Sequence, residues 1–243
     1  MTQITPVDIL AIGAHPDDQE LSTGGTLLKH QAMGWKIGLL DLTRGEMGTL
    51  GTPEIRKAEA LGAAEYMGAD WRVGLDLTDG FLRQDDDAVR QIISVIRAAR
   101  PRIVLANAIR DRHTDHGKGA TIVHNACYLS GLRNIKTDRD GVQQSAYRPS
   151  ALYHYIQDYH IEPDLVVDIS EYLEPKMELV MKYRSQFYDP TRKDVTTTPI
   201  SGEDFLEFLR GRAQQMGRPI GVAYGEGFTC ARYIGVKDFS GLL

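Results

Sequence analysis

The stretch VDILAIGAHPDDQELSTGGTLLKHQAMG (Val7–Gly34) decides how this chain is read. Its first eight residues form an apolar run of the length and composition of a strand buried on both faces. An amphipathic stretch from Leu21 to Met33 follows and stops at Gly34, as a helix does. Between them stand a histidine, a proline and two adjacent aspartates. Such a cluster is costly at the edge of a core unless the acids cap a helix or face a positive charge.

The strand–helix unit recurs. KIGLLDLT (Lys36–Thr43) reads as a second strand, and TPEIRKAEALGAAEYMG (Thr52–Gly68) as a helix with Pro53 in its first turn. WRVGLDL (Trp71–Leu77) is a short third strand. The next helix carries Val89, Ile92, Ile93 and Ile96 at helical spacing and stops at Pro101, and RIVLAN (Arg102–Asn107) is another buried strand. This alternation predicts an α/β fold, a mainly parallel sheet with helices on both faces.

The pattern changes after Gly131. Residues 134–150 are polar and turn-rich, a surface loop of the kind that lines sites. Strands ALYHYIQ (Ala151–Gln157) and DLVVDIS (Asp164–Ser170) precede a helix expected over Glu171–Phe187, a loop over 188–202 and a helix over Glu203–Met216. The end of the chain reads as strand pieces around a glycine-rich bend at Tyr224–Phe228. No repeat or internal boundary is visible, so one domain is expected over residues 1–243.

Of the 243 residues, 42% are hydrophobic and 25% charged, enough for a sizeable core. The net charge of −5 argues against a nucleic-acid partner, which needs a basic surface. Anionic substrates must then meet local arginines. Cys127 and Cys230 lack a C-x-x-C spacing and read as buried thiols in a reducing compartment. With no signal-peptide pattern and no run of membrane-spanning length, a cytoplasmic protein without a membrane partner is expected.

Three charged clusters fall at the carboxyl ends of strands, where parallel α/β sheets bind ligands. They are HPDD (His15–Asp18), TRGE (Thr43–Glu46) and RDRHTDH (Arg110–His116). In a turn entering a helix, the spacing of His15 and Asp18 aims both at one point while Asp17 points elsewhere. His113 and His116 repeat that spacing. Two histidines and a carboxylate suffice for a catalytic zinc site, leaving one histidine and one aspartate for proton work. Each piece also has a plain reading. Asp17 and Asp18 can cap the helix, with Gln19 and Glu20 at its solvated start, and His113 and His116 can sit exposed near another helix start. It is the conjunction of clusters that favours a metal hydrolase.

The other histidines carry less. His124 is expected to be packed, His30 to lie near a helix end, and His154 and His160 to flank a strand where either can touch substrate. Arg44 and Arg112 are the candidates for gripping an anion, with an Arg44–Glu46 surface ion pair as the plain alternative. Tyr224–Phe228 is either a tight turn or a loop that lets backbone approach a ligand. A non-catalytic nucleotide-binding module lacks its G-x-G-x-x-G here, and Asp17 and Asp18 would repel a phosphate. No G-x-S-x-G elbow is present.

AHPDD after the first strand, with RHTDH about a hundred residues later, resembles the zinc-dependent N-acetylglucosaminyl deacetylases related to LmbE and PIG-L. LTRGEMGTLGTPEIRKAEALGAAEYMGA, DLVVDISEYLEPKMELVMKYRSQF and AYGEGFTCARYIGVKDF resemble the branch that deacetylates N-acetylglucosaminyl-malate in bacillithiol biosynthesis. The resemblance implies a Rossmann-like α/β fold with a smaller C-terminal strand region, and a homo-oligomer acting on a small glycoconjugate. It implies one Zn2+ per chain on His15, Asp18 and His116, although such ligands also accept Fe2+. It makes Asp17 the general base, His113 the stabiliser of the oxyanion or proton donor to the amine, and Arg112 a substrate contact. Asp115 is expected to favour a protonated His113. One departure is Thr114, where the family often has proline.

Overall fold

The computed structural model describes residues 3–187 and 198–242. In chain order, β1 (Ile9–Gly13) leads into α1 (Asp18–Ala32), β2 (Ile37–Thr43) into α2 (Pro53–Met67), β3 (Trp71–Leu77) into α3 (Asp86–Ala99), and β4 (Ile103–Ala106) into α4 (Thr114–Leu129). A two-residue hairpin, β5 (Asp138–Arg139) and β6 (Val142–Gln143), follows. Then come β7 (Ala151–Tyr155), β8 (Leu165–Asp168), α5 (Leu173–Val180), α6 (Phe205–Gly217) and β9 (Gly225–Thr229).

The main sheet has the order β3-β2-β1-β4-β7-β9-β8. Pairs from β3 to β7 are parallel, while β9 pairs antiparallel with both β7 and β8. The expected mainly parallel α/β sheet is thus observed, with β9 alone running against the other strands. The chain leaves β1 toward β2 and β3 and returns on its other side as β4. This reversal of winding puts the switch point between β1 and β4, and the crevice beyond their carboxyl ends is where such sheets hold ligands.

Every residue of β1 is buried. Ile9 and Ala11 pack with Leu27, Leu28, Leu173 and Leu209 beneath α1, α5 and α6, whereas Leu10 and Ile12 pack with Ile92, Ile93, Ile122 and Val123 beneath α3 and α4. The period-two alternation of a strand thereby feeds two cores. Gly13 ends β1 because a Cβ there would come within 2.8 Å of Gln19 and 3.0 Å of the Asp18 Cβ. Its absence lets the start of α1 close against the strand end.

Several expectations need correction. Helix α1 begins at Asp18, and Gln19 and Glu20 are fully buried rather than solvated. They belong to a polar core in which Arg72 grips Asp41 through Nε and Nη2, both at 2.7 Å, and Glu20 through Nη1 at 2.5 Å. Gln19 donates to Asp41, and the Tyr183 hydroxyl donates to Glu20. The helix expected over 171–187 ends at Val180. The bend expected at Tyr224–Phe228 is instead strand β9, whose Glu226 accepts from Lys176 and from the Gly25 and Thr26 N–H groups of α1. His124 is exposed, not packed. Cys127 is buried, its thiol pushed up to about 12 by burial, but Cys230 is half-buried; both are free. The expected loop over 188–202 lies outside the described residues except for its last five.

Candidate metal centre and catalytic cleft

Helix α1 starts on a strained residue. Asp17 occupies the N-cap position at φ 106°, in a left-handed conformation that costs a non-glycine residue about 1–3 kcal/mol. Its side chain makes no capping hydrogen bond, so helix capping does not account for it. The backbone turn separates the two aspartates. Asp17 lines the cleft and receives Arg56 Nη2 on Oδ2 at 2.9 Å, while Asp18 folds back so that its Oδ2 accepts the His15 N–H at 2.9 Å.

The imidazoles of His15, His113 and His116 converge, with one nitrogen from each lying within 4.8 Å of the others. Asp18 sits against two of them: Oδ2 is 3.6 Å from His15 Nδ1, and Oδ1 is 3.1 Å from His116 Nε2. The opposite nitrogen of each ring is held by a further carboxylate. His15 Nε2 lies 3.0 Å from Asp79 Oδ1, and His116 Nδ1 lies 2.6 Å from Asp111 Oδ2. A carboxylate behind an imidazole fixes its tautomer and turns the other nitrogen toward a cation, as in metal sites generally. A second group within the same spacing, His15, Asp79 and Asp115, uses the nitrogen that Asp79 already occupies.

The charges tell the same story. Burial works against a charged His15, yet the carboxylates of Asp115, Asp18 and Asp79 raise it well above its ordinary value. Burial likewise opposes charge on His116, but Asp18 and Asp111 lift it to about 9. Burial would raise Asp18, but the His116 and His15 rings hold it well below the carboxylate range. The carboxylates thus favour positive charge at both imidazoles. The donor set, nitrogen and carboxylate oxygen facing each other across a buried cluster that attracts positive charge, fits a divalent cation.

Asp17 and His113 differ from these. Burial pushes Asp17 up to about 7, against the pull of Arg56. His113 is half-buried and shifted down by burial and by the nearby His15 and His116. Its Nδ1 accepts the Asp115 N–H at 3.3 Å, which leaves a neutral ring carrying its proton on Nε2. The Asp115 carboxylate does not reach back to His113; it accepts from the Gly80 N–H and Lys118 and lies 3.8 Å from His15 Nε2. Its charge does raise His113, as expected, but burial and the two neighbouring imidazoles outweigh it.

These groups share a cleft of about 270 Å³, also lined by Ile200, Phe205 and Leu209. Arg112 lines it, donating through Nε to Asp158 at 2.5 Å. Arg44 does not: it is largely exposed, 3.6 Å from Asp76, and lines a separate hollow. Among the described residues, the arginines lining the cleft are Arg56, Arg112 and Arg212. No residue of the 134–150 loop lines it. His154 lies behind the site and donates to the Asn107 carbonyl, and His160 is exposed, 3.8 Å from Glu162.

Sequence reasoning missed Arg56, Asp79, Asn107, Asp111 and Gln157. Four of these follow the carboxyl ends of β3, β4 and β7, so their positions alone marked them. Arg56, in the first turn of α2, carried no such mark.

A Rossmann-like α/β sheet bearing a His/Asp cluster that fits a cation at its switch point defines a class, and comparison with known proteins narrows it. Residues 10–127 match the family model described as PIG-L, GlcNAc-PI de-N-acetylase. The diacetylchitobiose deacetylase of Thermococcus kodakarensis is 30% identical over 229 residues, 90% of this chain and 81% of that protein. Among solved structures, the conserved protein TT1542 from Thermus thermophilus superposes with a TM-score of 0.84 at 33% identity, covering 96% of this chain and 99% of the other. The N,N'-diacetylchitobiose deacetylase from Pyrococcus horikoshii, complexed with its inhibitor MPG, gives 0.77 at 27% identity, covering 97% and 88%. The chain belongs to the PIG-L family of deacetylases, the family also called LmbE. Among the described residues no helix is long and apolar enough to cross a membrane.

Proposed function

We propose that this protein hydrolyses the N-acetyl group of an N-acetylglucosamine conjugate, using a divalent cation on His15, Asp18 and His116. One observation carries the ligand set: Asp79 and Asp111 occupy the far nitrogens of the two imidazoles, and the near nitrogens face the Asp18 carboxylate. Zinc suits two nitrogens and one oxygen with a position left for water, and iron(II) is the other ion such ligands accept. Once bound, the cation would polarise the acetyl carbonyl and acidify the attacking water.

The remaining chemistry belongs to the chain. Asp17, its Oδ2 engaged by Arg56, accepts the proton of the attacking water at Oδ1. As the water oxygen bonds to the acetyl carbon, the carbonyl oxygen gains negative charge and receives a hydrogen bond from His113 Nε2–H. A neutral His113 with one ring proton donates this bond without giving the proton up. The proton held by Asp17 therefore passes to the departing nitrogen as the C–N bond breaks, giving an amine and acetic acid, which ionises to acetate.

For the aglycone we infer malate, as in bacillithiol biosynthesis. Support comes from the long segments that resemble that branch and from Arg112 in the cleft, placed to pair a carboxylate. Diacetylchitobiose is the second reading, favoured by the similarity to the deacetylase of that name along 90% of this chain. Acetate release from N-acetylglucosaminyl-malate, diacetylchitobiose and N-acetylglucosamine by the metal-loaded protein decides between them. The malate reading expects the highest kcat/KM on the first and is overturned by a higher value on the second. Release from none of the three overturns the deacetylase assignment.

A further inference from the structure

We propose that Asn107 and Gln157 are positioning residues that clamp the Asp18 carboxylate, so that it meets the cation through one oxygen, Oδ1. The inference rests on the ligand set proposed above. Asn107 follows the last residue of β4, and Gln157 lies two residues beyond β7, the neighbouring parallel strand. Both side chains are buried. Asn107 Nδ2 donates to Asp18 Oδ2 at 2.9 Å, and Gln157 Nε2 donates to Asp18 Oδ1 at 3.0 Å.

The two amides cannot turn over. Asn107 Oδ1 accepts the Ala14 N–H at 2.8 Å, so its NH2 group must face the carboxylate. Gln157 Oε1 accepts both Asn107 Nδ2 and the Ala108 N–H, each at 3.0 Å, which directs its own NH2 group to Asp18. Their backbones are fixed as well: His154 Nδ1 donates to the Asn107 carbonyl at 2.8 Å, and Arg212 donates to the Gln157 carbonyl. A rotated amide would set oxygen against a carboxylate in a dry site, so the orientation is strongly specified.

The clamp treats the two carboxylate oxygens differently. Oδ2 accepts two N–H bonds, from His15 and Asn107, and its accessible lone pairs are taken. Oδ1 accepts one amide bond and faces His116 Nε2 at 3.1 Å. One oxygen of Asp18 is thereby kept for the cation. A carboxylate so restricted holds the ligand count low, which favours small first-row ions over calcium, whose sites take about six to eight oxygens.

Cobalt(II) is the probe, because its visible spectrum reports coordination number independently of turnover. In Gln157→Met and in Asn107→Leu the clamp predicts a cobalt Kd weakened about 10–100-fold by chelator competition, the usual loss when the support of a ligand is removed. It also predicts an altered visible spectrum at saturating cobalt, which a purely structural loss would leave unchanged. Should either variant fold poorly, the shorter Gln157→Asn, which withdraws the amide from Asp18 without adding charge, gives the same two readouts. Wild-type spectra with Kd values within about threefold of wild type overturn the clamp. Asp18→Asn, measured alongside, must lose cobalt. If it binds cobalt as the wild type does, the ligand set itself is wrong and the clamp falls with it.

Discussion

Arg56 Nη2 donates to Asp17 Oδ2 at 2.9 Å and to the Pro16 carbonyl at 2.6 Å, with both side chains buried. This contact joins the first turn of α2 to the residue proposed as the base, and its positive charge opposes what burial does to Asp17. Removing it should leave a carboxyl that protonates more readily. Arg56→Met is therefore expected to move the acid limb of the kcat/KM profile to higher pH. Activity at a fixed pH below both the old and the new pKa should fall about tenfold for each unit of that shift. A lowered plateau with an unmoved limb would mean that Arg56 serves substrate and not Asp17.

The φ of 106° at Asp17 predicts a second behaviour, on stability. Glycine tolerates this conformation and alanine does not, so Asp17→Gly should be more stable than Asp17→Ala by about 1–2 kcal/mol in urea titrations. Both should keep the metal and lose turnover by about 10²–10⁴-fold, the share of a general base. Equal stabilities would show that the turn relaxes once the carboxylate is gone.

Why the two aspartates were separable in the sequence, while their neighbours were not, follows from the range of the forces involved. His15, Asp18, His113 and His116 announced themselves because strand ends in a parallel sheet converge and their spacings repeat. Glu20 and Gln19 look like any polar helix start. Their burial depends on Arg72, in β3, some fifty residues away, which no local pattern reveals. Strand β9 was hidden for a similar reason. GEGFT has too few β-branched residues to read as a strand, and it is held by neighbours on both sides and by the Lys176–Glu226 pair. Arg44 was misplaced because a basic residue after a strand can point to either side of the sheet edge, and here it points to Asp76.

The Arg72 cluster makes its own prediction. Arg72 is the cation between Asp41 and Glu20 in this buried network, and Glu20 Oε2 already lacks a hydrogen-bond partner. Arg72→Met would strand two acids away from water. A loss of about 3–5 kcal/mol in unfolding free energy is expected, the cost of breaking a buried pair from one side. A loss below about 1 kcal/mol would show that water reaches the network once the guanidinium is gone.

Arg112 separates the two substrate readings. Its guanidinium lines the cleft and keeps N–H groups beyond the Nε–H given to Asp158. If it binds the aglycone carboxylate, Arg112→Ala should raise KM for N-acetylglucosaminyl-malate about 10–100-fold, as expected for a hydrogen bond to a charged group. Plain N-acetylglucosamine should be nearly unaffected. Equal effects on both substrates would assign Arg112 to the sugar or to the placement of Asp158.

Removal of the proposed cation should make stability fall as pH rises. In the stripped protein His116 titrates at about 9, above its ordinary 6.5, and His15 is raised in the same direction. A raised folded-state value means that the native protein holds protons the unfolded chain has lost. This contribution is fully present below pH 6.5 and disappears as pH climbs through about 9. Urea midpoints of chelator-treated protein should thus fall from pH 6.5 to 9. A bound cation needs the same two rings unprotonated, so its affinity should rise across that window by about tenfold per pH unit for each proton displaced. The gap between loaded and stripped midpoints should widen with pH. A stripped protein that gains stability over this range would show that its imidazoles are neutral, and that the carboxylates around them do not attract positive charge as argued.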